Sequence, residues 1–154
     1  MLVRGPWIIK KYFKSEESAV DADNWFDTGD ISSIDPDGYM AIVDREKDVI
    51  KSGGEWISSI DLENVIANHP DVLQTAVVGI PHPKWDERPL LFIVSNSGNE
   101  FDRSELDDLM LEKFEKWQLP DDVVFLKELP IGATGKVKKI DLRQEYTDHY
   151  MKEA

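Results

Sequence analysis

Three short stretches of this 154-residue chain hold residues that could do chemistry. Thr28-Gly29-Asp30 interrupts a run of strand-like residues, although Gly and Asp are both poor strand formers. A carboxylate at Asp30 can accept hydrogen bonds from two vicinal ribose hydroxyls, as acidic residues do in other nucleotide sites. The same pattern also describes a bulge carrying a surface aspartate. Gly53-Gly54 fits a hairpin turn that requires φ > 0, and equally a backbone along which a ligand can pass without meeting side chains. Trp56, next to it, suits either core packing or a stacking surface. Pro130-Ile131-Gly132-Ala133-Thr134-Gly135-Lys136 is a loop ending in a lysine, which fits an anion contact or a solvated loop cation. It is not a Walker loop, because the required first glycine would fall on Pro130 and Val137 stands where a magnesium-binding Ser or Thr belongs. Lys136, Lys138 and Lys139 form a local basic cluster.

Other chemistries are excluded more simply. The chain has no cysteine, so disulfides, thiolate catalysis and thiolate zinc sites are absent, which fits a reducing, cytoplasmic setting. His69, His82 and His149 lie far apart without metal-ligand spacing, and no metal site is expected; His82, between Pro81 and Pro83, reads as structural. A formal net charge of −13 argues against binding nucleic acid or anionic membrane by bulk electrostatics, so any anionic ligand must meet a local basic site. With 41% hydrophobic and 32% charged residues the composition is that of a globular protein. No apolar run approaches the roughly 20 residues of a transmembrane segment.

These residues need elements to position them. Trp7–Tyr12 reads as a strand, and Ser15 can cap a short helix through Ala22. Phe26–Ile34 and Tyr39–Val43 are strand-like around the turn Asp35-Pro36-Asp37-Gly38, which predicts a hairpin. Asp44-Arg45-Glu46-Lys47-Asp48 is fully charged and reads as a linker between two bodies. Val49–Lys51 and Trp56–Ser58 flank Ser52-Gly53-Gly54-Glu55 as a second, small hairpin. Ser58 or Ser59 caps a helix carrying Ile60, Leu62, Val65 and Ile66. Val72–Ile80 and Leu90–Val94 are buried strands joined by Pro81–Pro89. A helix from Asp102 or Ser104 carries Leu106, Met110, Phe114 and Trp117 and is stopped by Pro120; Val123–Leu126 is a third strand and Ile140–Tyr150 a final helix. The fold class is α+β, with helices packed on a small mixed sheet.

Taken in order, Trp25-Phe26-Asp27-Thr28-Gly29-Asp30, then the run from Asp44 to Ser58, then Pro130 to Lys136 closely resemble the C-terminal part of the acyl-adenylate-forming, AMP-binding enzymes. That family includes acyl-CoA synthetases, peptide-synthetase adenylation domains and firefly luciferases. Gly53-Gly54-Glu55-Trp56-Ile57-Ser58, followed by Asp61-Leu62-Glu63-Asn64 and by Pro81 to Pro89, looks most like medium- and long-chain fatty acyl-CoA synthetases. The resemblance implies that residues 1–44 are the end of a large N-terminal AMP-binding domain. Residues 45–154 would then be the mobile C-terminal domain, with a hinge over 44–48. The phosphate-binding loop of the large domain is not in this sequence, so the chain alone is expected to be inactive.

By resemblance, the implied reaction is fatty acid plus ATP giving acyl-adenylate and pyrophosphate, then CoA giving acyl-CoA and AMP. The cofactors are ATP, CoA and Mg2+, held mainly by the large domain, and the substrate is a fatty acid. Lys136 is the implied catalytic lysine of adenylation. Asp30 and Arg45 would hold the ATP ribose, and Lys47 would be the hinge residue. Lys51 would meet the adenylate in the second step, while Gly53, Gly54, Glu55 and Trp56 would face CoA pantetheine. Two other readings stay open at this level: a stand-alone, non-catalytic interaction or regulatory module, and an adenylating enzyme that loads a carrier-protein pantetheine.

Overall fold

A computed structural model describes residues 1–153, with side chains through Met151. The chain divides into two compact units, one ending at Lys47 and one beginning at Asp48.

In the first unit, β1 (Leu2–Val3) pairs antiparallel with β2 (Phe26–Asp27), and β3 (Asp30–Ile34) with β4 (Met40–Arg45). The predicted hairpin is present, its turn closed by Gly38 N–H donating to the Asp35 carbonyl at 3.0 Å. The expected strand over Trp7–Tyr12 and helix over Ser15–Ala22 do not form; these residues are turns and irregular chain apart from a single bridge at Val20. The reason is local. Ser15 Oγ accepts from the Glu17 N–H at 3.2 Å and Ser18 Oγ from the Val20 N–H at 3.3 Å, so both hydroxyls close short turns and neither caps a helix. The charged run predicted as a linker begins inside the sheet. Asp44 and Arg45 complete β4, and Asp44 is fully buried with its carboxylate accepting from the Arg45 N–H at 2.7 Å.

The second unit is built on a mixed sheet. Its members are β5 (Ile50–Ser52), β6 (Glu55–Ile57), β7 (Val72–His82), β8 (Asp86–Ser95) and β9 (Asp122–Phe125). β8 is the hub: it pairs antiparallel with β7 along its length, and its other edge meets β5 at Asp86 and then β9, in parallel, from Leu90 to Ile93. Period-two alternation sorts the apolar residues to two faces. Val77, Leu91 and Ile93 face α1 (Ser59–Ile66) and α2 (Arg103–Leu111) through Leu62, Ile66, Leu106 and Met110. Ala76, Val78, Leu90 and Phe92 pack with Leu142 of α3 (Lys139–Glu145) and with Tyr150. Helices thus cover both faces of an α+β sheet, as the composition of the strands requires.

α1 is capped by Ser58, whose side chain accepts from the Asp61 N–H at 3.2 Å, and α2 by Asp102, which accepts from the Ser104 N–H at 2.9 Å. That bond holds the Asp102 carboxyl below its ordinary range. Three boundaries differ from expectation. The connection between β7 and β8 is only Pro83-Lys84-Trp85, because Pro81 and Pro89 both lie in strands. Pro89 falls where β8 has left β5 and not yet paired with β9, so its missing N–H costs no ladder bond. α2 stops at Leu111, and a separate 3-10 turn, Lys116–Gln118, carries Trp117. Its start is fixed by Gln118 Oε1 accepting from the Glu115 N–H at 3.0 Å. Finally, α3 ends at Glu145, with another 3-10 turn beginning at Tyr150. No helix among the described residues is long and apolar enough to cross a membrane.

Candidate functional site

In the first unit the structure brings Asp30 and Arg45 together. They are register partners across β3 and β4, and Arg45 Nε donates to Asp30 Oδ1 at 2.8 Å. Gly29, with φ of +68°, turns the chain between β2 and β3 and lets Thr28 and Asp30 face the same neighbourhood: Arg45 Nη1 also donates to the Thr28 carbonyl at 3.3 Å. The Asp30 carboxylate is 15% exposed and the Arg45 side chain 50%. The pair therefore presents a carboxylate acceptor beside a guanidinium whose Nη2 protons are unspent among the described residues. A vicinal diol, which both donates and accepts, is matched by that arrangement. Lys47 is exposed in the turn that follows β4 and closes the first unit.

In the second unit, Lys51, Gly53, Gly54, Glu55 and Trp56 share one hairpin. Ser52 pairs with Glu55 across the turn Gly53-Gly54, and the two glycines have φ of +60° and +90°, as a tight two-residue hairpin turn demands. A Cβ on Gly53 would approach the Trp85 ring to 3.2 Å, a tight contact that the ring would have to yield to, in addition to the strain of a positive φ. Trp56 is 61% exposed, which decides for a surface side chain against a core one. The hairpin is tied to β8 by the Gly53 N–H donating to the Trp85 carbonyl at 2.8 Å and the Lys51 N–H to Glu87 Oε2 at 3.0 Å.

Lys136 lies apart from that hairpin in sequence, on its own closed loop. Ile131 bridges Val137, Gly132 N–H donates to the Lys136 carbonyl at 2.8 Å, and Lys138 N–H donates to the Pro130 carbonyl at 2.8 Å. The three lysines of the basic cluster then separate by role. Lys139 Nζ, 15% exposed, bridges Glu63 Oε1 at 2.7 Å and Ser59 Oγ at 2.8 Å, anchoring the loop's exit to α1. Lys138 pairs with Asp141. Lys136 is exposed, and among the described residues its ammonium has neither an ion pair nor a hydrogen bond.

Sequence reasoning passed over Arg88, Trp85 and Trp117. With Ser52, Gly53 and Asp121 they line a cleft of about 330 Å³ beside the hairpin. The local sequence hides it: Arg88 closes the charged triplet Asp86-Glu87-Arg88 and reads as solvated, and its burial depends on partners that only tertiary structure supplies. The histidines are structural. His82 Nδ1 accepts from the Lys84 N–H at 3.1 Å, His69 stacks on Phe101 at 4.5 Å, and His149 pairs with Asp122 at 2.8 Å. Among the described residues no group of three or more His, Asp or Glu side chains is placed to hold a metal ion.

The family model for the AMP-binding enzyme C-terminal domain matches residues 61–136. The chain belongs to this family. It is 52% identical over 148 residues to 3-methylmercaptopropionyl-CoA ligase from Ruegeria lacuscaerulensis, covering 96% of this chain and 28% of that protein. It is 50% identical over 152 residues to the long-chain-fatty-acid--CoA ligase of Thermus thermophilus, again covering 96% of this chain and 28% of that protein. Among solved structures, o-succinylbenzoate CoA synthetase from Bacillus subtilis in complex with its acyl-adenylate intermediate superimposes with a TM-score of 0.84 at 32% identity. That match covers 92% of this chain and 29% of the other. The chain is thus an acyl-CoA ligase family C-terminal region, spanning a little over a quarter of the length of these relatives. The mixed sheet with its helices and hairpins is the fold of this domain.

Proposed function

We propose that this chain is the C-terminal portion of an ATP-dependent acyl-CoA synthetase acting on medium- or long-chain fatty acids. In the first half-reaction a carboxylate oxygen attacks the α-phosphorus of ATP, giving acyl-adenylate and releasing pyrophosphate. In the second, the CoA thiol attacks the acyl carbonyl, giving acyl-CoA and releasing AMP with the thiol proton lost to solvent. Asp30 and Arg45 hold the ribose hydroxyls. Lys136 offsets the negative charge gathering on the carboxylate and phosphate oxygens as the first bond forms. Lys47 is then the pivot about which the second unit turns, withdrawing Lys136. The Gly53-Gly54-Glu55-Trp56 hairpin guides pantetheine, and Lys51 meets the adenylate.

The observation that carries this reading is the difference between Lys136 and its neighbours. Lys138 and Lys139 are neutralised by Asp141 and Glu63, while Lys136 is held out on a closed loop with its charge unspent among the described residues. A unit charge about 4 Å from an anion gains on the order of 4 kcal/mol at an effective dielectric near 20, enough to switch a step on when the loop arrives and off when it leaves. Magnesium would come with the ATP phosphates. A cytoplasmic location and the choice of fatty acid over other acids belong to the same reading; the Thermus relative, named for long-chain fatty acids, supports the latter.

The test is a chimera in which residues 1–154 replace the corresponding region of the Ruegeria ligase. Expected are ATP-dependent pyrophosphate release and acyl-CoA formation by the chimera, and neither from the chain alone. A folded chimera that makes no adenylate, or pyrophosphate release by the chain alone above a Lys136→Ala control, overturns the reading.

A further inference from the structure

We infer that Arg88 is a positioning residue for thioester formation: its guanidinium fixes the angle at which the Gly53-Gly54 hairpin leaves the sheet. The inference rests on the proposed role of that hairpin as the pantetheine guide. Arg88 lies in β8 just before its apolar run, Pro89–Val94, and is 7% exposed. A charge buried there is tolerated only if its bonds are complete, and they are. Nε donates to Asp121 Oδ2 at 2.8 Å and Nη2 to Asp121 Oδ1 at 2.7 Å, a two-pronged pair. Nη1 donates to Ser52 Oγ at 2.9 Å and to the Trp117 carbonyl at 2.7 Å, and Nη2 also to the Leu119 carbonyl at 2.9 Å.

Those acceptors lie on separate segments: the root of the hairpin at Ser52, the 3-10 turn at Trp117, and the lead into β9 at Leu119 and Asp121. In the β5–β8 ladder the hairpin has one register pair, Ser52–Asp86, beside the Gly53–Trp85 and Lys51–Glu87 bonds described above. Arg88 supplies a restraint from outside the ladder, acting on the residue immediately before Gly53. Its other bonds hold the far wall of the neighbouring cleft, so hairpin and wall are fixed to one rigid group.

The alternative use of a cleft arginine, contact with a phosphate, does not fit. Every N–H of Arg88 is spent on the protein, and Glu55 and Asp121 both line the same cleft. Lysine could not replace it, since an ammonium cannot span a two-pronged carboxylate and a hydroxyl on a different strand.

The experiment uses the chimera described above, with Ser52→Ala, Arg88→Lys and Arg88→Met. Ser52→Ala removes only the bond at the hairpin root. Expected for Ser52→Ala and Arg88→Lys is a rise in KM for CoA of about tenfold, the scale of a lost charge-assisted hydrogen bond. Adenylate formation should stay within about twofold, and Arg88→Met should extend the CoA defect. Hydrogen exchange on the same proteins should show faster exchange at residues 51–57 with β7 unchanged. Equal loss in both half-reactions, an unchanged KM for CoA, or exchange that is uniform or unaltered overturns the inference. The unmutated chimera separates the two levels of argument. If it forms adenylate yet transfers nothing to CoA, the functional reading fails at that point, while the exchange data still decide whether Arg88 fixes the hairpin.

Discussion

Arg45 and Asp30 stand opposite each other in the β3–β4 ladder, and the 2.8 Å bond between them leaves the arginine half-exposed over a mostly buried carboxylate. A ribose diol seated there would accept from the guanidinium and donate to the carboxylate at once. In the chimeric enzyme Asp30→Ala should therefore raise KM for ATP by about 10- to 100-fold, the range expected for a lost charge-assisted hydrogen bond. Arg45→Ala should do the same by a smaller factor. Because each positions the other, the double variant should cost less than the sum of the single ones. Strict additivity in this cycle would count against a shared site.

Lys47 closes the first unit, and Asp48 opens the second, where its carboxylate pairs with Arg143 at 3.2 Å. If Lys47 is the pivot, as proposed above, that anchor leaves the turning to the residues just before Asp48. Lys47→Pro, which holds φ near −65°, should impair one half-reaction more than the other. Separate rate measurements of adenylation and of thioester formation check this, and equal losses would remove Lys47 as the pivot.

Much of this was legible from residues alone, for identifiable reasons. The two hairpins were readable because Asp35-Pro36-Asp37-Gly38 and Gly53-Gly54 carry their turn chemistry in the sequence. α1 was readable because Ser58 and the spacing of Leu62, Val65 and Ile66 agree. What failed was set by distant partners. α2 was read through to Pro120 because Phe114 and Trp117 keep helical spacing; yet the carbonyls of Trp117 and Leu119 are taken by Arg88, about thirty positions earlier in the chain. Asp44 looked too polar for a strand, and nothing local announces that a carboxylate will be buried with hydrogen bonds at a strand end. At the candidate site the loop alone left Lys136 open between an anion contact and a solvated cation; that Lys138 and Lys139 are neutralised and Lys136 is not depends on Asp141 and on Glu63.

Tyr150 offers a check on stability that does not depend on function. Its hydroxyl donates to the Pro89 carbonyl at 2.8 Å, and burial, reinforced by Asp121 and Asp122, raises its pKa above the ordinary 10.0. The unfolded chain can release that proton near the ordinary value while the folded chain resists, so the contribution is whole below about pH 10 and is lost as pH rises beyond it. Tyr150→Phe should cost about 1 kcal/mol near neutrality, the net value of one hydrogen bond, and should flatten the alkaline decline. Tyr146, also raised by burial, leaves a smaller residual slope. Urea unfolding across the alkaline range tests this; an unaltered slope in the variant would refute it.

Lys136 provides the sharpest separation of readings. If it stabilises the charge of adenylate formation, Lys136→Ala in the chimera should slow that step by about 10²-fold or more, comparable to removing a preorganised oxyanion donor. The second step should survive, so the variant supplied with synthetic acyl-adenylate should form acyl-CoA at a near-normal rate. Gly54→Val should give the reverse pattern. Its φ of +90° disfavours any side chain, and on the proposed reading a branched one would obstruct the turn along which pantetheine passes. A fold defect predicts loss of both steps in Lys136→Ala, which is not expected: the loop is closed by backbone bonds and anchored through Lys139 and Glu63, and no side-chain bond of Lys136 is among them. A merely solvated lysine predicts little change in either step. Two half-reaction rates, measured on two variants, therefore discriminate among all three, and an unimpaired adenylation rate in Lys136→Ala would remove the observation on which the proposed function rests.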